Sequence, residues 1–301
     1  MINPILTTSA RQRMRSWRTP VILTIYSLFQ LVFVWVYSYE AFGQDTFTLN
    51  SLTRSVEGYV ILVVIQFILL VLAAPAMTAG SISGERERQT LDLLRVTATG
   101  SLSLLIGKLL ESFGFLCLLV ISSLPMLGMI LLTGAIPLGQ MLVAVLFLIV
   151  VALTALSVGM LASALFRRTV TATVVAYLSV FAVGVLTLLP IFYDVAIIGD
   201  IYTSVMTLPP LEAIDYIPIS FVANPGLGLF SLIMDQTYFG QRYLGQFSHT
   251  LNVTSGLLRY GRYVWYNMGA MMTFSILLMA VSALRMRVQK ADRPRKRRRK
   301  G

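Results

Sequence analysis

Six runs of mostly apolar residues, each long enough to cross the hydrocarbon of a bilayer, decide what this chain of 301 residues can become. A helix needs about 20 such residues to span roughly 30 Å. The runs cover about Val21 to Tyr39, Tyr59 to Ala79, Leu102 to Thr133, Leu138 to Phe166, Val170 to Tyr193 and Tyr263 to Leu284. Backbone inside lipid has no water to bond, so each run must satisfy its own N–H and C=O groups as a helix. An all-α integral membrane fold of six transmembrane helices follows. Composition agrees, because the chain is 56% hydrophobic and 12% charged, about half the charge of an ordinary soluble domain. A soluble globular fold is excluded. The third and fourth runs exceed a crossing length, which implies tilt, a kink at Pro125 or extension past the bilayer.

The chain carries 24 Lys and Arg against 13 Asp and Glu, and their positions orient it, since basic residues are retained on the cytoplasmic side. With the N-terminus inside, Arg11, Arg13, Arg15, Arg18, Arg86, Arg88, Arg95, Lys108, Arg167 and Arg168 are cytoplasmic. So are the ten basic residues between Arg285 and Lys300. Only Arg54, Arg242, Arg259 and Arg262 fall outside. Trp35, Tyr37, Tyr39, Tyr59, Tyr193, Tyr263, Trp265 and Tyr266 lie at the outer ends of the runs, where aromatic rings prefer the headgroup level. A plasma-membrane protein with both termini cytoplasmic is expected.

The first run is too long for a cleavable signal peptide and lacks a small-residue cleavage site. Before it, Leu6, Ala10, Met14 and Trp17 recur at helical spacing opposite the arginines, as in a helix lying on the membrane surface. Residues 1–19 therefore form a cytoplasmic interfacial helix, with Thr19 and Pro20 as N-cap and first-turn proline of the first span. Between the fifth and sixth spans, residues 194–262 are too many for a simple connection. Within them Ser220 to Met234 is apolar but short, and a re-entrant helix capped by Asn224 with Pro225 in its first turn is expected. A seventh crossing there would force the basic tail outside.

Catalytic and metal chemistry finds little to work with. Cys117 is the single cysteine and lies in an apolar run, and His249 is the single histidine, so neither a cysteine cluster nor a histidine ligand pair can form. Gly100 to Leu109 ends in Gly-Lys, but its spacing departs from a phosphate-binding loop and Leu109 replaces the hydroxyl residue. Ion-coupled transport needs ionisable groups near the midplane. The spans offer only Lys108 and Glu111, near the cytoplasmic start of the third, where a pair three residues apart on one helix face is expected. Gln30 and Gln66 lie deeper, and hydrogen bonding between helices accounts for them. No catalytic residue, cofactor site or metal site is expected in this chain.

The second and third spans are joined by Pro75-Ala-Met-Thr-Ala-Gly-Ser-Ile-Ser-Gly84-Glu85-Arg86-Glu87-Arg88-Gln89-Thr90-Leu91-Asp92-Leu93-Leu94-Arg95. From Glu85 to Arg95 this reads as a short helix, with acids in its first turn, Arg95 in its last, and Leu91 and Leu94 on one side. One charged face and one apolar face suit docking, although a solvated loop of mixed charge accounts for the residues equally well. The run Gly84-Glu85-Arg86-Glu87-Arg88-Gln89-Thr90-Leu91-Asp92-Leu93-Leu94, followed by Gly107-Lys108-Leu109, resembles the hallmark of the ABC-2 type permeases of ATP-binding cassette exporters. Further similarity lies in Ser163-Ala-Leu-Phe-Arg167-Arg168 and in Asn224-Pro225. Gln89 stands where many members of that family have glycine, and a modest change in helix stability is expected from it.

The resemblance implies a coupling helix in which Glu85, Arg86, Glu87, Arg88, Thr90, Leu91 and Leu94 seat against a separate nucleotide-binding subunit that holds ATP and Mg2+. It also implies an extracellular re-entrant segment at Asn224 and Pro225, a second permease subunit, identical or homologous, and transport in the export direction. The domains are then the interfacial helix at 1–19, a six-helix transmembrane domain at 20–286 and a basic tail at 287–301. The tail, with Arg295, Lys296, Arg297, Arg298, Arg299 and Lys300, reads as a topology anchor, with anionic membrane lipid as its other partner. Nucleic acid is not expected, because no folded platform lies beside it. The competing functions are an ATP-independent secondary transporter or channel and a membrane scaffold.

Overall fold

The computed structural model describes residues 18–42, 49–89, 101–132, 134, 136–186, 224–236 and 260–291. Among them every regular element is helical. In chain order these are α1 (Arg18–Phe42), α2 (Leu49–Ala79), α3 (Ser83–Glu87), α4 (Ser101–Leu132), α5 (Leu138–Leu165), α6 (Thr169–Leu186), α7 (Pro225–Gln236) and α8 (Tyr260–Ala291).

Five stretches are long and apolar enough to cross a membrane, namely Ser55–Glu87, Ser103–Leu132, Leu138–Leu165, Thr169–Leu186 and Tyr263–Met286. The first expected span lies on α1, whose described apolar stretch, Pro20–Val36, is shorter than a crossing. The fifth expected span continues to Tyr193, and its last residues lie outside the described ones, as do the expected interfacial helix up to residue 17 and the basic tail from 292.

The spans are apolar nearly all round, as membrane helices are, so burial within the bundle has to be decided by fit. α5 is the central helix and packs against α2, α4, α6, α7 and α8. α6 is peripheral, with only Ala172 and Ala176 buried and a row of Val170, Val174, Leu178, Phe181 and Val185 exposed.

Lipid tails are as apolar as leucine, so spans associate through small residues and hydrogen bonds. The α2–α5 contact shows both. A Cβ on Gly159 would fall 2.2 Å from the Thr78 hydroxyl and 3.1 Å from the Pro75 Cα and carbonyl oxygen. Only glycine lets the two backbones meet there. The Thr78 hydroxyl is shared between its own Ala74 carbonyl (3.1 Å) and the Leu156 carbonyl of α5 (3.0 Å). Ala79, Ala162 and Ala176 then close α2, α5 and α6 together.

Buried polar pairs tie the other spans. Gln66 Nε2 donates to Ser123 Oγ at 2.8 Å, joining α2 to α4. Ser157 and Ser275 hydroxyls meet at 2.5 Å between α5 and α8. Gln30, by contrast, bonds within its own helix, donating to the Tyr26 hydroxyl.

Candidate functional site

The segment after α2 folds into α3, and its charges turn back onto the bundle. Helix α3 has no side-chain cap of its own at Ile82. The first N–H groups of a helix need acceptors, and here Ser163, in the last turn of α5, supplies one from another span. Its hydroxyl oxygen accepts from the amides of Ile82 (2.8 Å) and Ser83 (3.0 Å). Ser83 in turn donates to the Ala79 carbonyl at 2.8 Å.

Each charged residue of Glu85-Arg86-Glu87 then reaches a different helix end. Glu85 forms an ion pair with Lys108 of α4, both largely buried, and the same ammonium donates to the Ser81 carbonyl at 2.9 Å. Arg86 donates to the Phe166 carbonyl (3.1 Å) and the Ala164 carbonyl (3.3 Å) at the C-terminus of α5. Glu87 accepts the backbone N–H of Thr169 (3.2 Å) and its hydroxyl (2.7 Å) at the start of α6. The signs are the favourable ones, because a helix C-terminus attracts a cation and an N-terminus an anion. Two adjacent residues thereby bracket the corner between α5 and α6. Gly84 permits the approach, since a Cβ there would stand 3.3 Å from the Thr169 methyl.

Two expectations are corrected here. Lys108 pairs across elements with Glu85, not along its own helix with Glu111. Tertiary folding brings Glu85 alongside the start of α4, which no spacing rule within one helix anticipates. The expected continuous helix from Glu85 to Arg95 is also interrupted. The helix ends at Glu87, Arg88 and Gln89 form a turn, and Gln89 takes φ 58°. A left-handed residue stops a helix, so Gln89 stands at a helix stop and not in a helix interior. Arg88 and Gln89 are exposed. Thr90, Leu91 and Leu94 lie outside the described residues, and so do Arg295, Lys296, Arg297, Arg298, Arg299 and Lys300.

At the opposite end of α2 and α5, the short helix α7 is held at both of its ends. Asn224 Oδ1 accepts from the amides of Gly226 (2.7 Å) and Leu227 (3.2 Å), an N-cap with Pro225 in the first helical position. Its Nδ2 donates to the Gly184 carbonyl of α6 at 3.2 Å, and its carbonyl accepts from Asn267 Nδ2 of α8 at 3.0 Å. Gly228 lies flat on α8, where a Cβ would come within 2.2 Å of Asn267 Oδ1. At the other end Gln236 accepts from the buried Tyr59 hydroxyl of α2 (2.7 Å) and donates to the Gln140 carbonyl of α5 (2.7 Å).

Ser163, Thr169, Asn267 and Gln236 were not singled out as candidate site residues from the sequence. The available signal was a small polar residue within one turn of the end of an apolar run, which Ser163 and Thr169 both satisfy. Among the described residues no group of His, Cys, Asp or Glu is placed to hold a metal ion.

A family described as ABC-2 family transporter protein matches residues 23–284 of the chain. None of the curated proteins compared with the chain matches it.

Proposed function

The chain belongs to the ABC-2 family of transporter proteins, and from that premise we propose that it is the permease subunit of an exporter driven by a separate ATP-binding chain. ATP and Mg2+ would reside in that partner, and this chain would contribute the transmembrane path and the docking element. The observation that carries the reading is the placement of α3. It is bonded to α4 through Lys108, to α5 through Ser163 and the Phe166 carbonyl, and to α6 through Thr169.

A partner that pulls on this element moves the ends of three spans, whereas a solvated loop would transmit nothing. Closure of two ATP-binding chains on nucleotide is a rigid-body movement, and a bonded helix is suited to carry it. The exposed Arg88 and Gln89 belong to the surface proposed for the partner, and the resemblance adds Thr90, Leu91 and Leu94 to it. In this reading the working unit contains two permease chains, each with its own docking element. The six-span topology with α1 as the first span, both termini cytoplasmic and α7 as an extracellular re-entrant helix belongs to the same reading.

The test is co-purification of the tagged full-length chain from its host membrane in mild detergent, followed by assay for ATP hydrolysis. An ATPase chain retained by the wild type and lost on Leu91→Asp supports the permease reading and locates the docking surface. Absence of any associated ATP hydrolysis in several detergents overturns it in favour of a scaffold or an ATP-independent transporter.

A further inference from the structure

The charged stretch Glu85-Arg86-Glu87 reads in the sequence as a surface for a partner, yet all three side chains are engaged inside the chain. We infer that this stretch is an intramolecular clasp that joins α3 to the α5–α6 corner, and that Thr169 and Ser163 are its positioning residues. The inference rests on the permease reading and says where the partner's movement enters the bundle.

The clasp is built from complementary ends. Arg86 sits on the carbonyl terminus of α5 and Glu87 on the amide terminus of α6, three residues further along the chain. Reversal of either charge would face a like-signed helix end. Ser163 performs the reciprocal service, an α5 side chain capping α3. Each element thus completes a helix terminus of another, so that α3, the end of α5 and the start of α6 behave as one body. Movement delivered at α3 therefore enters through α5 and α6, with α4 joined by Lys108, and Glu87 acts on Thr169 instead of on the ATPase chain.

Two measurements test this. On the full-length chain alone, nitroxide labels at Arg88 and Leu178, both exposed, in a Cys117→Ala background report the separation of α3 from α6. The wild type is expected to give one narrow distance distribution. Thr169→Val broadens it, Ser163→Ala broadens it, and Thr169→Ser, which keeps the hydroxyl, restores it. In parallel, in the full-length chain purified with its ATPase partner, Glu87→Ala and Thr169→Val are expected to retain the ATPase chain at the wild-type ratio while lowering the ATP-hydrolysis rate by a similar factor, about three- to tenfold, the loss expected when one solvent-exposed hydrogen bond of ordinary strength is removed. The double variant should lose no more than either single one, because both remove the same contact.

A distribution that Thr169→Val leaves narrow overturns the clasp. So does loss of the ATPase chain on Glu87→Ala but not on Thr169→Val, which would place Glu87 on the partner. A wild-type chain with no associated ATP hydrolysis overturns the permease reading itself, and the inference with it.

Discussion

At Gln89 the backbone passes through φ 58°, a region where an L side chain crowds the following carbonyl at a cost of about 1 kcal/mol. Glycine bears no such cost, so Gln89→Gly should leave the turn in place and hold or slightly raise the thermal midpoint of the detergent-solubilised protein. A clear fall would show that the Gln89 side chain has a role of its own. The ion pair of Glu85 and Lys108 poses a different question, because both groups are largely buried. Removing one partner strands the other charge, and Lys108→Met should destabilise by about 2 kcal/mol or more. Adding Glu85→Gln to Lys108→Met should recover part of that loss, since no buried charge is then left alone. Thermal unfolding of the three variants side by side checks the order. The residue types at this site were legible in the sequence, but their partners were not. Lys108 is three residues from Glu111 and twenty-three from Glu85, and proximity along the chain pointed to the wrong carboxylate.

Among the elements, α2 and α5 are held at backbone distance by Gly159 against Pro75 and Thr78. A larger side chain must push the helices apart, and overpacking of a well-fitted contact costs about 1–3 kcal/mol. Gly159→Leu is therefore expected to lower the thermal midpoint markedly. Gly159→Ala should be milder, and milder still when combined with Thr78→Ala, which removes the nearest clashing atom. Helix α7 makes a second case, because it is short and depends on its end contacts. Gln236→Ala deletes the bridge from Tyr59 to Gln140, and Asn224→Ala deletes a cap worth about 1 kcal/mol along with the bond to Gly184. Each variant should raise hydrogen exchange across 225–236 while leaving α5 protected, a pattern that exchange measured by mass spectrometry resolves. The N-cap at Asn224 was readable from Asn-Pro before an apolar run. The bridge at Gln236 was not, because its partners lie 177 and 96 residues away.

For the whole molecule, the proposed permease reading expects an assembly of two permease chains with two ATPase chains, one docking element to each ATPase chain. Native mass spectrometry of the purified complex should show that four-chain stoichiometry. A single permease chain bound to a single ATPase chain, with full ATP hydrolysis, would remove the argument for a pair. The exposed apolar row of α6 from Val170 to Val185 is consistent with a surface that meets lipid or another chain, and cross-linking at Leu178 within that complex would tell the two apart.

Run length and composition by themselves determined that this chain is a bundle of membrane-crossing helices, because a backbone in lipid has few ways to satisfy its hydrogen bonds. The order of the elements and the cap at Asn224 were equally local matters, set by residues a few positions apart. Which helix became central, and which charges became partners, were decided only in the folded bundle. Apolar spans carry little directional information in their sequence, since every face of them tolerates lipid. The choice fell to contacts at a few points: a glycine that admits another backbone, a serine that caps a neighbouring helix, and an Arg-Glu pair matched to two helix ends. Those contacts join residues about 80 positions apart, a distance at which only tertiary structure brings them together.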